Sequence, residues 1–239
     1  MQKKAGPRSG STLDDRVVFF QEFLKNPRQI GSITPSSRFL ERRIVQIAGV
    51  ASARLVVELG AGTGGTTRAI LDAMGPDAKL LVVEINRHFA ALVGRIDDPR
   101  LIVHCGSARD LRDALSRHHL PAPDAVISGI PFSTIDRRTG SQILEAISSA
   151  LTPGGRFVAY QSRKNVDELS RPLLGPAHVE VALLNIPPLR LYWWEKRAAR
   201  PALEEERSRA ARPAESLALV SARTENTADA SFRRRLKPR

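Results

Sequence analysis

The chain is poor in cysteine, in aromatics and in long apolar runs. Cys105 is the only cysteine, which excludes an internal disulfide and a cysteine-built metal site. His118 and His119 stand together beside Pro121, with no Cys or Glu at ligand spacing, so no metal centre is expected. No run approaches the roughly 18–20 apolar residues needed to span a bilayer. The first residues, MQKKAGPRSGSTLDD, lack the apolar core of a secretory signal. These absences predict a cytoplasmic protein whose membrane contact, if any, is peripheral.

Acidic residues are also scarce relative to basic ones. The formal charge is +12 and the isoelectric point near 10.9, so the surface favours an anionic partner, either nucleic acid or an anionic lipid surface. With 239 residues, 42% of them hydrophobic, the chain can bury a core of one α/β domain with extensions.

The aromatic shortage makes one stretch conspicuous. Three of the eight phenylalanines, Phe19, Phe20 and Phe23, fall within five residues. Leu13 to Lys25 has helical spacing, with Leu13, Val17, Phe20 and Leu24 on one face and Asn26-Pro27 to end it. Such a face either packs on the domain or docks on lipid and closes over a ligand. A second helix is expected from about Ser36 to Ala48, with Phe39, Leu40, Ile44 and Ile47 as its apolar stripe and Arg38, Arg42 and Arg43 on or beside the other face.

The centre of the chain is Leu55 to Thr67, LVVELGAGTGGTT. A buried strand runs into a glycine loop, and TTRAILDAM has helical spacing after it. This arrangement brings backbone amides against a nucleotide-type ligand. Glu58, just before Gly60, lies where it would repel a pyrophosphate but attract an amino group. Lys79 to Glu84 is a second strand, and the carboxylate of Glu84 suits a pair of ribose hydroxyls. Further strands are expected at Leu101–Cys105, Asp124–Ser128, Arg156–Tyr160, and about 178–186 and 190–195. Helices are expected over Asn86–Arg95, from Gly106 to about His118, and over Thr139–Ala150.

E-L-G-x-G-T-G, with the later L-x-P-G-G-x-x-V, resembles the class I S-adenosylmethionine-dependent methyltransferases. The resemblance implies an α/β, Rossmann-like sheet of seven strands, mostly parallel with the last antiparallel, behind an N-terminal helical extension. It implies S-adenosylmethionine as cofactor, held by Glu58, Gly60, Gly62, Thr63, Gly64, Glu84, Ser107, Ala108 and Ser128. Many relatives carry Asp where Ser107 stands, to accept from the adenine amine.

The acceptor is expected beside Gly129, Ile130, Pro131 and Phe132, beyond the fourth strand. This loop resembles that of the ribosomal RNA adenine dimethyltransferases, whose Asn-x-Pro-Tyr/Phe holds the base, but Gly129 offers no side-chain acceptor. FFxxFLxNPxxIGSITPSSR (Phe19 to Arg38), VVELGAGTG, ISGIPF and NIPP together resemble the bacterial phospholipid N-methyltransferases and their ornithine-lipid relatives. That resemblance covers about residues 13–196. It implies methylation of an aminolipid at the inner face of the cell membrane, with Phe19, Phe20, Phe23 and Leu24 contacting an anionic membrane surface. The amine must lose a proton; Asp136 and Tyr160 are candidate bases, and solvent is a third acceptor. Phe132 and Tyr160 are expected to wall the pocket and attract cationic intermediates.

The organisation expected is a disordered 1–11, N-terminal helices over 12–50 serving as membrane-docking or lid elements, a methyltransferase domain over 51–196, and a basic, disordered tail over 197–239. Two readings stay open beside the lipid one: an RNA or protein methyltransferase using the basic tail, and a non-catalytic S-adenosylmethionine-binding protein at the membrane.

Overall fold

The computed structural model describes residues 35–161, 165–182 and 189–197. The expected helix over Leu13–Lys25, with Phe19, Phe20, Phe23 and Leu24, lies outside the described residues, as do the tail from 198 and the whole NIPP segment.

Seven strands form one sheet: β1 (Leu55–Leu59), β2 (Lys79–Glu84), β3 (Leu101–Cys105), β4 (Ala125–Ser128), β5 (Arg156–Gln161), β6 (His178–Ala182) and β7 (Leu189–Glu195). Their order is β3-β2-β1-β4-β5-β7-β6. Pairing is parallel from β3 through β5, and β7 runs antiparallel to both β5 and β6. All five residues of β1 are buried, because helices cover both faces and a central parallel strand then has no polar side. The strand order reverses between β1 and β4, which opens a crevice beyond their carboxyl ends.

The helices are α1 (Pro35–Ala48), α2 (Gly65–Ala73), α3 (Arg87–Val93), α4 (Leu111–Arg117), α5 (Arg137–Ala150) and α6 (Asn165–Leu174). On one face of the sheet Leu40, Ile44, Val45 and Ile47 of α1 join Ile70, Val56, Leu80, Ile127, Val158 and Leu191 in a single buried cluster. On the other, Leu111, Leu144 and Ile147 pack over Leu55, Val57, Leu81, Val126 and Phe157. There Phe157 stacks on Trp194, ring centroids 5.0 Å apart. α1 is therefore part of the domain core, which begins before residue 51.

Some local expectations are corrected. Phe39 is 55% exposed; the buried stripe of α1 runs through Leu40, Ile44 and Ile47, and Phe39 is turned one position away from it. Arg43, expected on or beside the face away from the apolar stripe, has a tertiary partner: its guanidinium grips Glu180 of β6 in a fork, Nη2–Oε2 2.7 Å and Nε–Oε1 2.9 Å. The expected Asn86 helix begins at Arg87, with Asn86 as its cap accepting from the amides of His88 and Phe89. The Gly106–His118 helix is broken into a short 3-10 turn, Ala108–Asp110, followed by α4. α6 has no counterpart in the sequence reading, because Pro172 inside it reads as a breaker; it falls in the last turn, where it interrupts only the end of the helix.

Candidate active site

The carboxyl ends of β1, β2, β4 and β5 meet at the crevice. Glu58, in β1, is completely buried. Its Oε2 accepts a 2.6 Å bond from Thr67 Oγ1, while Oε1 has no partner among the described residues. Burial raises its pKa to about 7; the Thr67 bond opposes this and the Glu84 charge adds to it. A buried oxygen without a donor costs stability, and an ammonium beside it would supply both donor and counter-charge. The loop that follows turns through three left-handed glycines, Gly60 (φ 77°), Gly62 (φ 54°) and Gly64 (φ 83°), a conformation that a side chain disfavours. Gly64 leads into α2, while Thr63 is exposed at the tip.

Glu84 closes β2 and is equally buried. Oε1 accepts from the Asn86 amide at 2.8 Å and Oε2 from the Gly62 amide at 3.1 Å. Burial raises its pKa, and the backbone amides of Asn86, Gly62, Ile85 and Ala61 lower it. Each carboxylate oxygen has a second lone pair, so a pair of ribose hydroxyls can still be accepted. Beside it lies an open cleft of about 660 Å³ lined by Ile85, Arg87, Ala90, Val103, Cys105 and Gly106. Ile85 is 51% exposed there and offers an apolar face for a flat ring; sequence reasoning missed it. Ser107 follows β3, and its hydroxyl accepts from Arg109 N and Nε, both at 3.3 Å. It therefore has a hydrogen to give rather than a lone pair to receive an adenine amine, which corrects its expected role. Ala108 is buried behind it. The buried Ser128 accepts from the Ile130 amide at 3.3 Å and so shapes the next loop. The oxygen of Glu58 without a donor, the buried carboxylate of Glu84 at the end of β2 and the glycine turn fit S-adenosylmethionine.

The Gly129–Phe132 loop faces the glycine turn. A Cβ on Gly60 would lie 3.2 Å from Ile130 Cγ1. A Cβ on Gly129 would fall on the Tyr160 hydroxyl and 2.8 Å from the Gly60 carbonyl. Gln161, which sequence reasoning also missed, clamps the loop: its Nε2 donates to Ile130 O at 2.6 Å and its Oε1 accepts from Phe132 N at 3.2 Å. Ile130 and Pro131 remain half-buried at the mouth.

Three expected roles in this loop region do not hold. Phe132 is 1% exposed and belongs to the hydrophobic core, so it does not wall an open pocket. Tyr160 does reach the crevice, its hydroxyl 3.4 Å from Thr66 Oγ1. Burial raises its phenol far above its ordinary value, with Glu58 adding to the shift, so it stays protonated and is no base. Asp136 is exposed and caps α5, Oδ1 accepting from Thr139 N at 2.9 Å and Oδ2 from Thr139 Oγ1 at 2.8 Å. Its carboxylate holds the helix. Sequence reasoning also passed over Glu41 of α1, whose Oε1 lies 3.0 Å from where a Cβ on Gly65 would be. A lone acid within RFLERR was the available signal.

No family model matches the chain. It is 33% identical over 147 residues to an ornithine lipid N-methyltransferase from Singulisphaera acidiphila, covering 61% of this chain and 77% of that one. It is 27% identical over 193 residues to ribosomal RNA small subunit methyltransferase A of Phenylobacterium zucineum, covering 69% and 62%. Among solved structures, the N-methyltransferase NodS of Bradyrhizobium japonicum in complex with S-adenosyl-L-homocysteine has the same fold, with a TM-score of 0.59 at 11% identity, covering 74% of this chain and 98% of that one. The seven-stranded 3-2-1-4-5-7-6 sheet, the acid-and-glycine turn and the first of these relatives lead to one conclusion: the chain belongs to the class I S-adenosylmethionine-dependent methyltransferases, in the family of the ornithine lipid N-methyltransferase.

Proposed function

We propose that this N-methyltransferase acts on the amine headgroup of a membrane lipid, of the phosphatidylethanolamine or ornithine-lipid type, at an anionic membrane surface on the cytoplasmic side. The observation that carries this reading is at residue 129. A base-methylating site of the Asn-x-Pro-Phe kind needs a side-chain acceptor there, and here glycine stands with the Tyr160 hydroxyl in the space a side chain would take. The crevice therefore offers hydroxyl groups and backbone carbonyls, which suit a small amine better than a stacked nucleobase. The S. acidiphila relative supports the lipid class.

The cofactor supplies a methyl group on a positively charged sulfur. When it is bound, Glu58 would hold its amino group and Glu84 its ribose, and the Gly60–Gly64 turn would let it approach the backbone. What remains for the chain is to hold the amine in line, where alignment supplies most of the acceleration. On the membrane side, Arg38, Phe39 and Arg42 share the exposed face of α1. A cation near an anionic leaflet contributes about 1 kcal/mol, and an exposed ring between two arginines suits the headgroup boundary.

The test is transfer of labelled methyl from S-adenosylmethionine to anionic vesicles containing either phosphatidylethanolamine or ornithine lipid, with chromatography to identify the product. Label in a lipid supports the reading; absence of label in both removes it. The similarity to a ribosomal RNA methyltransferase favours a second reading, in which unmodified ribosomal RNA takes the label instead.

A further inference from the structure

We infer that Glu41 of α1 is the group that receives the substrate's ammonium and takes its proton before methyl transfer. The inference rests on the aminolipid reading above.

Among the described residues, Glu41, Glu58 and Glu84 come near the crevice, and the last two are already engaged. Glu84 is held by the amides of Gly62 and Asn86, and Glu58 by Thr67, its other oxygen suited to the cofactor. Glu41 accepts no side-chain hydrogen bond among the described residues. Its Oε1 stands against Gly65, where even a methyl side chain would crowd it at 3.0 Å. The next residue, Thr66, is 3.4 Å from the Tyr160 hydroxyl, and that hydroxyl lies against Gly129, at the start of the acceptor loop. Glycines at 65 and 129 thus admit two polar tips, Glu41 and Tyr160, into one corner. Arg38, three residues before Glu41 on the same helix, is exposed together with Phe39 and Arg42, so a lipid drawn to Arg38 has its headgroup about one helical turn from the carboxylate.

Burial raises the Glu41 carboxyl above its ordinary range, and Arg38, on its own helix, lowers it. From β5 it faces Tyr160, which responds to the charges of both Glu41 and Glu58. β4 carries no ionisable side chain, and β7 contributes Leu191 and Trp193 to this face. Arg68 of α2 is turned to the carbonyls of Thr63 and Gly64, and Arg156 of β5 to the carbonyl of Ile47 and to Glu195. A carboxylate of raised basicity with one cation nearby can both attract an ammonium and accept its proton. The step balances: R–NH₃⁺ gives a proton to the carboxylate, leaving R–NH₂ and the carboxylic acid. The nitrogen lone pair then forms the N–C bond as the methyl–sulfur bond breaks, and the acid returns its proton to solvent.

The experiment measures kcat/KM on anionic vesicles containing phosphatidylethanolamine or ornithine lipid, from pH 6 to 9, for the wild type, Glu41→Gln and Glu41→Asp, with cofactor affinity and Tm for each. The inference predicts a flat wild-type plateau above the Glu41 pKa. At pH 7 Glu41→Gln falls by about 10²-fold. Its rate then climbs about tenfold per pH unit as free amine accumulates below an amine pKa of about 10. Glu41→Asp recovers part of the rate, and cofactor affinity stays the same in all three. A Glu41→Gln profile parallel to wild type, or a loss explained by weaker cofactor binding or lower Tm, assigns Glu41 to structure and overturns the inference while leaving the aminolipid reading intact. A wild type that methylates neither lipid overturns that reading and this role together.

Discussion

The hydroxyl of Tyr160 occupies the space that a side chain at residue 129 would need. The two positions are 31 residues apart in sequence, on neighbouring strand ends, and each fixes what the other can be. Gly129→Ala forces its methyl against the Tyr160 hydroxyl and 2.8 Å from Gly60 O. The overpacking cost expected is about 1–3 kcal/mol, read from urea unfolding, with a large loss of methyl transfer. Adding Tyr160→Phe relieves part of that cost but not the Gly60 contact, so the double variant is less destabilised than the sum of the singles.

Glu58 gives the protein a pH signature. Its carboxyl titrates at about 7 in the folded chain against an ordinary 4.5. Between those values the folded state holds a proton that the unfolded state has lost, so stability without cofactor falls as pH rises from about 4.5 to about 7. Glu58→Gln is expected to flatten that part of the curve and to be the more stable protein at pH 8. Cofactor binding has the opposite sense. Wild-type affinity rises as Glu58 ionises on the way to pH 7, whereas the Gln variant binds weakly with no such rise; calorimetry at pH 5.5, 6.25 and 7 measures both.

Gln161 should matter to catalysis more than to cofactor binding. Gln161→Leu leaves Ile130 O and Phe132 N without their partners, a cost of about 1–3 kcal/mol for the buried Phe132 amide and less for the half-buried Ile130 carbonyl. The acceptor loop loosens, so kcat falls severalfold while cofactor affinity, set by the β1 and β2 turns, stays within twofold. Equal losses in both would show that the loop also holds the cofactor.

The exposed face of α1 predicts vesicle behaviour. Arg38→Gln with Arg42→Gln should weaken binding to anionic vesicles by about 2 kcal/mol, some 30-fold, at about 1 kcal/mol per cation. The effect should fade in high salt. Phe39→Ser should weaken binding at all salt concentrations. None of these should change cofactor affinity, and sedimentation with vesicles in parallel with cofactor titration separates the two. Phe20→Glu with Phe23→Glu extends the test to the expected first helix.

Much of the sheet was legible because its strands are short apolar runs that end in glycine or in an acid. Leu55–Leu59 and Lys79–Glu84 announce themselves, and the carboxylates of Glu58 and Glu84 need only the local turn to reach the crevice. Features set by tertiary contact were less legible. Phe132 follows a motif that elsewhere stacks on a base, yet it turns into the core beneath Gly140. Phe39 keeps helical spacing with Ile47 but misses the buried side by one position. Arg43 finds Glu180, 137 residues away, and Gln161 reaches back to a loop 29–31 residues earlier; no local pattern encodes such partners. Asp136 looked like a base from its nearness to the loop, and its hydrogen bonds to Thr139 make it a helix cap.

The most direct measurement offers both polyanions at once. Labelled S-adenosylmethionine, the full-length protein, anionic vesicles carrying phosphatidylethanolamine and ornithine lipid, and unmodified ribosomal RNA are incubated in one tube and the label is partitioned. The account predicts label in the lipid phase, on nitrogen, with the RNA unlabelled. Label in the RNA and none in the lipid would contradict it, and would mean that a nucleobase can be held at Gly129 without a side chain to read it.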